Sequence, residues 1–105
     1  MDTPKILGKD EALNLVRRYK EVIAPRFNSE LKVMMFGSYS RGCPHEWSDI
    51  DVAVIVPKVQ GDWLETSAGL WHDVDRVSLM LEPILLEQGE NTPLFREVMR
   101  TGIAV

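Results

Sequence analysis

Cysteine is almost missing from this 105-residue chain, which contains only Cys43. A disulfide within the chain is therefore impossible, and the composition favours a reducing compartment over a secreted, disulfide-stabilised framework. No apolar run approaches the roughly 20 residues that a helix needs to cross a bilayer, and residues 1–9 lack the apolar core of a signal peptide. We therefore expect a cytoplasmic protein with no membrane association.

Basic residues are outnumbered, since 12 Lys and Arg stand against 16 Asp and Glu and the formal net charge is -4. This charge opposes a polyanionic backbone, so binding to nucleic acid is not expected. Hydrophobic residues make up 45% of the chain, which is ordinary for a globular protein. No repeat or low-complexity linker interrupts the sequence, so we predict a single domain over residues 1–105.

Apolar residues recur at helical spacing in three segments. Asp10 is placed to cap the first helix and Pro25 to end it, while Thr92 caps the last helix and Pro93 takes its first position. Trp63 and Trp71 lie eight positions apart in the second, where packing against a sheet is the expectation. The predicted helices cover residues 10–23, 63–74 and 93–101.

Three apolar stretches, residues 31–36, 49–56 and 77–86, are typical of buried strands. Pro83 interrupts the third, and because proline has no amide hydrogen, we predict an edge strand or an amide that points outward. A short helix is predicted at residues 38–42. This order of elements predicts the α+β class, with helices packed against a small mixed sheet.

Two aspartates begin the second strand. Asp49 and Asp51 share the parity of Ala53 and Ile55, so both carboxylates lie on one face with their roots roughly 7 Å apart. Such hard oxygen donors favour Mg²⁺ or Mn²⁺, whose coordination shells are completed by phosphate and water. The alternative is that the pair merely shapes a turn.

Gly37 and Ser38 lie where the first strand turns toward the predicted short helix. Backbone amides and the positive end of a helix dipole can face a phosphate there, and the serine hydroxyl can bond to it. Glycine permits the phosphate to approach the main chain closely. The turn at Gly37 and Ser38 and the pair of aspartates, Asp49 and Asp51, together predict a triphosphate-binding site beside a metal site.

The whole stretch resembles the signature of the polymerase-beta-like nucleotidyltransferase superfamily, in which Gly-Ser is followed about ten residues later by Asp-x-Asp on a strand. Ten residues separate Ser38 from Asp49 here. Arg41-Gly42 and Ser48 also match the members called minimal nucleotidyltransferases, and the order of elements matches along nearly the whole chain.

The resemblance implies the polymerase-beta-like fold and transfer of a nucleotide from a nucleoside triphosphate, with two Mg²⁺ ions as cofactors. It implies that Asp49 and Asp51 hold the ions, and that a third acid on a later strand completes the set and can act as general base. Glu82 is the candidate, because it is the lone acid in an apolar run, although an exposed charge on an edge strand is the alternative. The residues that we expect to hold the nucleotide are Gly37, Ser38, Arg41 and Ser48.

The acceptor is less well defined by the resemblance than the reaction. Small members of the superfamily often pair with a helical HEPN-type protein and act as antitoxins, which can transfer AMP from ATP to a tyrosine of that partner. Two alternatives remain open: an antitoxin that neutralises its partner by binding alone, and transfer to a small molecule or an RNA end. Arg41 likewise either grips phosphate or pairs with a nearby acid.

Overall fold

A computed structural model describes residues 7–28, 30–42, 44 and 49–105 of the protein. Within these ranges, three helices and four strands follow one another in the order α, β, β, α, β, α, β. Short 3-10 turns extend the first helix over Ala24–Phe27 and follow the second over Val74–Arg76. The elements are α1 (Lys9–Ile23), β1 (Lys32–Phe36), β2 (Ile50–Val56), α2 (Trp63–His72), β3 (Leu81–Glu87), α3 (Pro93–Thr101) and β4 (Ile103–Ala104).

The four strands form one mixed sheet in the order β3-β2-β1-β4. The β2 and β3 strands are parallel, whereas β1 runs antiparallel to both of its neighbours. The predicted α+β class with a small mixed sheet is therefore confirmed. Among the helices of the described residues, none is long and apolar enough to span a membrane.

The two faces of the sheet are covered unequally. One face places Val52 and Val54 of β2 in a large core with Tyr19 of α1 and Leu70 of α2. The opposite face carries a smaller core, in which Ala53 and Ile55 pack with residues of α3. The two parities of β2 thus serve two cores, and the parity of Asp51 lies on the face that only α3 covers in the described part of the chain.

The third strand is an edge strand, as Pro83 predicted. The amide of Ile50 donates to Met80, and that of Gln88 donates to Val56. Even-numbered residues of β3 therefore direct their backbone groups toward β2, and the odd-numbered Pro83 directs its own toward the outside of the sheet. The missing amide hydrogen consequently costs no hydrogen bond of the sheet.

Several local predictions are corrected. The cap of α1 is Gly8, whose amide donates to the carboxylate of Glu11, so the prediction that Asp10 caps this helix is wrong. The β4 strand was not predicted, because two residues carry no periodic signal. Trp63 and Trp71 remain 42% and 50% exposed instead of packing fully against the sheet.

An ion pair between the exposed Arg26 and the buried Asp73 joins the end of α1 to the end of α2. Arg26 donates from Nε to Oδ2 of Asp73 at 2.6 Å and from Nη2 to Oδ1 at 3.2 Å. Only 3% of the Asp73 side chain is exposed, against 41% of Arg26. These hydrogen bonds hold the pKa of Asp73 below its ordinary value. The pair therefore offsets the cost of burying a carboxylate beneath the sheet.

We expect Arg26→Ala to lower the free energy of unfolding by about 2 kcal/mol at pH 7, as judged by urea denaturation. Removing one partner of a fully buried pair costs about 3–5 kcal/mol, and the partial exposure of Arg26 reduces that figure. Because the pKa of Asp73 is lowered on folding, this contribution is present above the unfolded pKa and disappears as the pH falls through the folded one.

Arg76→Ala is the matched control for this substitution. Its guanidinium lies 3.8 Å from the same carboxylate and is 63% exposed, so we expect a loss of at most about 0.5 kcal/mol. Equal losses in Arg26→Ala and Arg76→Ala would contradict the role that the bidentate geometry assigns to Arg26.

Candidate active site

Three acidic residues lie near one another at the start of β2 and β3. Asp51 and Glu82 are the second residues of β2 and β3, and they are direct partners in the parallel register. Neighbouring strands lie about 4.8 Å apart and paired residues point to the same face. Asp49 shares the parity of Asp51 and immediately precedes β2. Strand pairing thus brings Glu82 beside two acids from which 30 or more positions of sequence separate it.

Neighbouring acids contribute to raised pKa values at Glu82 and Asp51. Asp49 and Glu82 lie within hydrogen-bonding reach, and this contact is the main cause that raises the pKa of Glu82, followed by burial and the charges of Asp49 and Asp51. The pKa of the half-buried Asp51 is raised by burial and then by Asp49, while Arg41 opposes the shift. Repulsion of this kind is relieved by a proton or a cation.

The donor set suits a hard divalent cation, because it consists of carboxylate oxygens that repel one another. As they stand, however, no three His, Cys, Asp or Glu side chains of the described residues are grouped closely enough to hold a metal ion. Asp49 and Glu82 form a close pair, with Asp51 beside them. The chemistry of the three acids therefore fits the predicted ions, and their side chains would have to close on them.

Gly37 is packed against the carboxylate of Asp51. Its φ of +77° lies in the left-handed region, and a Cβ built on this residue would overlap Oδ2 of Asp51 and lie 3.0 Å from its Cγ. The sequence interpretation assigned this glycine to the close approach of a phosphate. The structure adds a second reason that the sequence did not reveal, which is room for the Asp51 side chain.

The prediction of a short helix after Gly37 is wrong. Residues 37–42 form turns, in which the amide of Arg41 donates to Gly37 at 3.2 Å and that of Gly42 donates to Tyr39 at 3.3 Å. The left-handed φ of +73° at Gly42 is incompatible with continuing a helix. Any phosphate site here must therefore depend on turn amides and side chains, because there is no helix dipole in the described segment.

Two side chains that sequence reasoning missed hold this turn. The hydroxyl of Ser40, 8% exposed, donates to the carbonyl of Gly37 at 3.0 Å. The hydroxyl of the buried Tyr39 accepts from the amide of Leu7 at 3.3 Å, which ties the turn to the chain entering α1. A serine three positions after a turn glycine is a usable signal for the first contact, whereas the second joins residues 32 positions apart.

Of the remaining predicted site residues, the structure describes Ser38 and Arg41. Ser38 is half-buried within the turn, and Arg41 is exposed, with a charge that lowers the pKa of Asp51. Ser48 lies outside the described residues, as does most of the predicted loop at residues 43–48. Arg41 is therefore electrostatically linked to an acid and still accessible to a phosphate, so both interpretations of this residue stay open.

Cavities do not mark this site. The structure has a cavity of about 390 Å³ at the opposite end of the sheet, lined by residues that include Val56, Lys58 and Phe27. A groove of about 380 Å³ lies between α2 and β3. Neither is lined by Asp49, Asp51 or Glu82, so in the described part of the chain the chemistry of these acids identifies the site.

Comparison with known proteins assigns this arrangement to a family. A family model described as a nucleotidyltransferase domain matches residues 16–97, which include all three acids and the Gly37 turn. A Methanocaldococcus jannaschii protein named "Putative protein adenylyltransferase" is 28% identical over 100 residues, which cover 90% of this chain and 99% of that protein.

Solved structures share the fold. A structure from Sulfolobus solfataricus described as a putative nucleotidyltransferase superposes with a TM-score of 0.65 at 22% identity, covering 98% of this chain and 90% of its own. A toxin-antitoxin structure with AMP-PNP gives a TM-score of 0.58 at 25% identity, covering 93% of this chain and 72% of the other. The mixed sheet and its helices are therefore an architecture known from other proteins.

Proposed function

Because the chain belongs to the nucleotidyltransferase domain family, we propose that it transfers AMP from ATP to a hydroxyl group of a protein in the cytoplasm. The acceptor oxygen forms a bond to the α-phosphorus as the bond to the bridging oxygen of the β-phosphate breaks, and pyrophosphate leaves. The acceptor is a tyrosine of a HEPN-type helical partner. The name of the M. jannaschii relative supports a protein as the acceptor of AMP, and the toxin-antitoxin structure with AMP-PNP supports an adenine nucleotide and a toxin partner. The HEPN type of that partner and its tyrosine follow from the family resemblance.

One observation carries the proposal. Asp51 and Glu82 are partners in the parallel register, with Asp49 within hydrogen-bonding reach of Glu82, on a face that is open to a substrate. Three carboxylates that repel one another destabilise the folded chain. Such a cluster is typical of a site that binds a positively charged group.

Asp49, Asp51 and Glu82 are the residues that would hold two divalent cations, Mg²⁺ or Mn²⁺. When bound, such cations supply positive charge that offsets the negative charge developing around the α-phosphate. Glu82 has a further role, because its carboxylate lies beside Asp51 in the strand register and can accept a proton. We assign to it the removal of the proton from the acceptor hydroxyl.

The turn at residues 37–42 is the part that holds the triphosphate. Ser38 offers its hydroxyl, and Arg41 offers an exposed guanidinium with a planar set of donors that matches phosphate oxygens. Ser48, which precedes the aspartates in the sequence, belongs to the same proposed binding set. Gly37 keeps the turn close to Asp51, so the triphosphate would lie directly beside the acids.

The experiment is a transfer assay with the purified chain, a HEPN-type helical protein, Mg²⁺ and ATP labelled at the α-phosphate. We expect the partner to become labelled, and we expect no label from ATP marked at the γ-phosphate, because that phosphate leaves with pyrophosphate. Mapping the modified residue by mass spectrometry is expected to identify a tyrosine. Glu82→Gln should slow labelling, because an amide cannot accept the proton of the acceptor hydroxyl.

The alternatives give different results in the same assay. Neutralisation of the partner without any incorporated label would support binding alone and contradict the proposed activity. Label that enters an RNA end or a small molecule, and never the partner, would keep the chemistry and replace the acceptor. The net charge of -4 makes RNA the weaker of these.

A further inference from the structure

A groove that the proposed reaction does not use runs between α2 and the outer edge of β3. It has a volume of about 380 Å³, and Pro83 and Ile84 of the strand line it together with Leu70 of α2. The rings of Trp63 and Trp71 also line it, and these residues are 42% and 50% exposed. Half-exposed tryptophans around a groove that also contains Ser67 and Glu90 are typical of an interface, because they provide large contact areas at little entropic cost.

The edge of β3 is closed to an added strand. Its outward-facing residues are 81, 83, 85 and 87, as the hydrogen bonds to β2 establish. Pro83 has no amide hydrogen, while Leu81 donates to Ser78 at 3.2 Å and Glu87 donates to the side chain of Glu90 at 2.8 Å. Three of four positions thus cannot donate to a new strand. The occupant of the groove must instead present side chains, as a helix does.

The charge around the groove defines the occupant further. Residues 62–90 contain seven Asp and Glu but only one basic residue, Arg76. Asp73 of this segment is paired with Arg26 and Glu82 belongs to the acid site, so the charge that lines the groove itself is that of Glu90. Electrostatic complementarity favours a partner whose apolar side chains are flanked by Lys or Arg.

We infer that this groove binds an amphipathic helix with an apolar face and basic flanks, which belongs to the protein that carries the acceptor hydroxyl. The identity of that protein rests on the proposed function, whereas the chemistry of the helix rests on the groove alone. Leu86 lies four residues from Glu82, about 13 Å along the strand at roughly 3.3 Å per residue. Ile84 and Leu86, which line the groove, share the parity and therefore the sheet face of Glu82, so a helix docked here lies along the same strand as that acid.

The test uses a fluorescently labelled helical peptide of Leu and Lys, with Leu on one face, and fluorescence anisotropy against the purified chain without nucleotide. We expect saturable binding that weakens with salt, and no binding of the same pattern made from Leu and Glu. The double variant Trp63→Ala/Trp71→Ala should raise the Kd at least about tenfold, since buried tryptophans dominate interfaces.

Leu64→Ala is the matched control, because Leu64 lies on the same helix, is 78% exposed and does not line the groove. We expect its Kd to stay within about twofold of the wild type. Equal binding by the double tryptophan variant, with its fold verified by circular dichroism, would overturn the inference. So would a dimer in sedimentation velocity that the tryptophan substitutions dissociate, because the occupant would then be a second copy.

Failure of the groove inference and failure of the proposed transfer reaction can be told apart. If the double tryptophan variant still labelled the partner at unchanged KM, the role of the groove in binding would be refuted and the proposed AMP transfer would stand. Peptide binding without AMP transfer would leave the groove and refute the chemistry.

Discussion

Asp51→Asn is expected to lower the rate of AMP transfer about 1000-fold or more while leaving the folded chain at least as stable as the wild type. The loss follows because an amide cannot supply the negative charge that holds a cation, and several kcal/mol of transition-state stabilisation depend on it. Asparagine has nearly the shape of aspartate, so its contact with Gly37 is retained and the fold is not disturbed.

The stability of this variant has its own physical reason. Burial and the charge of Asp49 raise the pKa of Asp51, which means that the charged form is disfavoured in the folded state. A raised folded pKa stabilises the protein only at low pH, where the group is protonated, and this benefit is lost as the pH rises. A neutral side chain at pH 7 removes that penalty, so the midpoint of thermal unfolding should rise or stay unchanged.

Thermal unfolding with and without Mg²⁺ measures both the stability of Asp51→Asn and its ability to bind the cation. A cation that binds only the folded chain raises the midpoint of the wild type, and this increase should be absent in Asp51→Asn. Asp62→Asn is a control acid, because Asp62 caps α2 far along the chain from the site. Normal transfer by a folded Asp51→Asn would refute the assignment of this residue.

Gly37→Ala is expected to reduce transfer about 100-fold or more, with only a modest loss of stability. An added methyl group would occupy the space of the Asp51 carboxylate and force that side chain into another rotamer. Displacing a reacting group by about 1 Å is enough for losses of this size. The left-handed backbone itself costs an alanine about 1–2 kcal/mol, which urea denaturation will measure.

Gly61→Ala and Gly89→Ala separate the effect of displacing the Asp51 carboxylate from the effect of backbone strain. Their φ angles of +84° and +82° impose the same backbone strain, but a Cβ at either position meets nothing within 4 Å. We expect all three variants to lose similar stability and only Gly37→Ala to lose transfer and the thermal response to Mg²⁺. If the two control variants lost as much transfer as Gly37→Ala, backbone strain alone would explain the result and the role of the Asp51 contact would be refuted.

Prediction succeeded where the signal is local. Thr92 caps α3 by accepting from the amide of Phe95 at 3.2 Å, as its type and position indicated. The alternating pattern of β2 correctly placed Asp51 and Val52 on opposite sides of the sheet, because successive side chains of a strand point to opposite faces. The short helix after Gly37 was predicted wrongly, because the residue types do not distinguish one helical turn from the hydrogen-bonded turns that residues 37–42 form.

The sequence by itself determined where the main helices and strands form. It also placed Asp49 and Asp51 on one face of a strand and, through Pro83, indicated that β3 is an edge strand. Each follows from neighbours a few positions apart, whose geometry the backbone constrains. Only the tertiary structure decided that Glu82 lies beside Asp51, that Gly37 makes room for that carboxylate, and that α2 leaves its tryptophans half-exposed. These depend on strand register and packing between distant segments, and no local pattern specifies them.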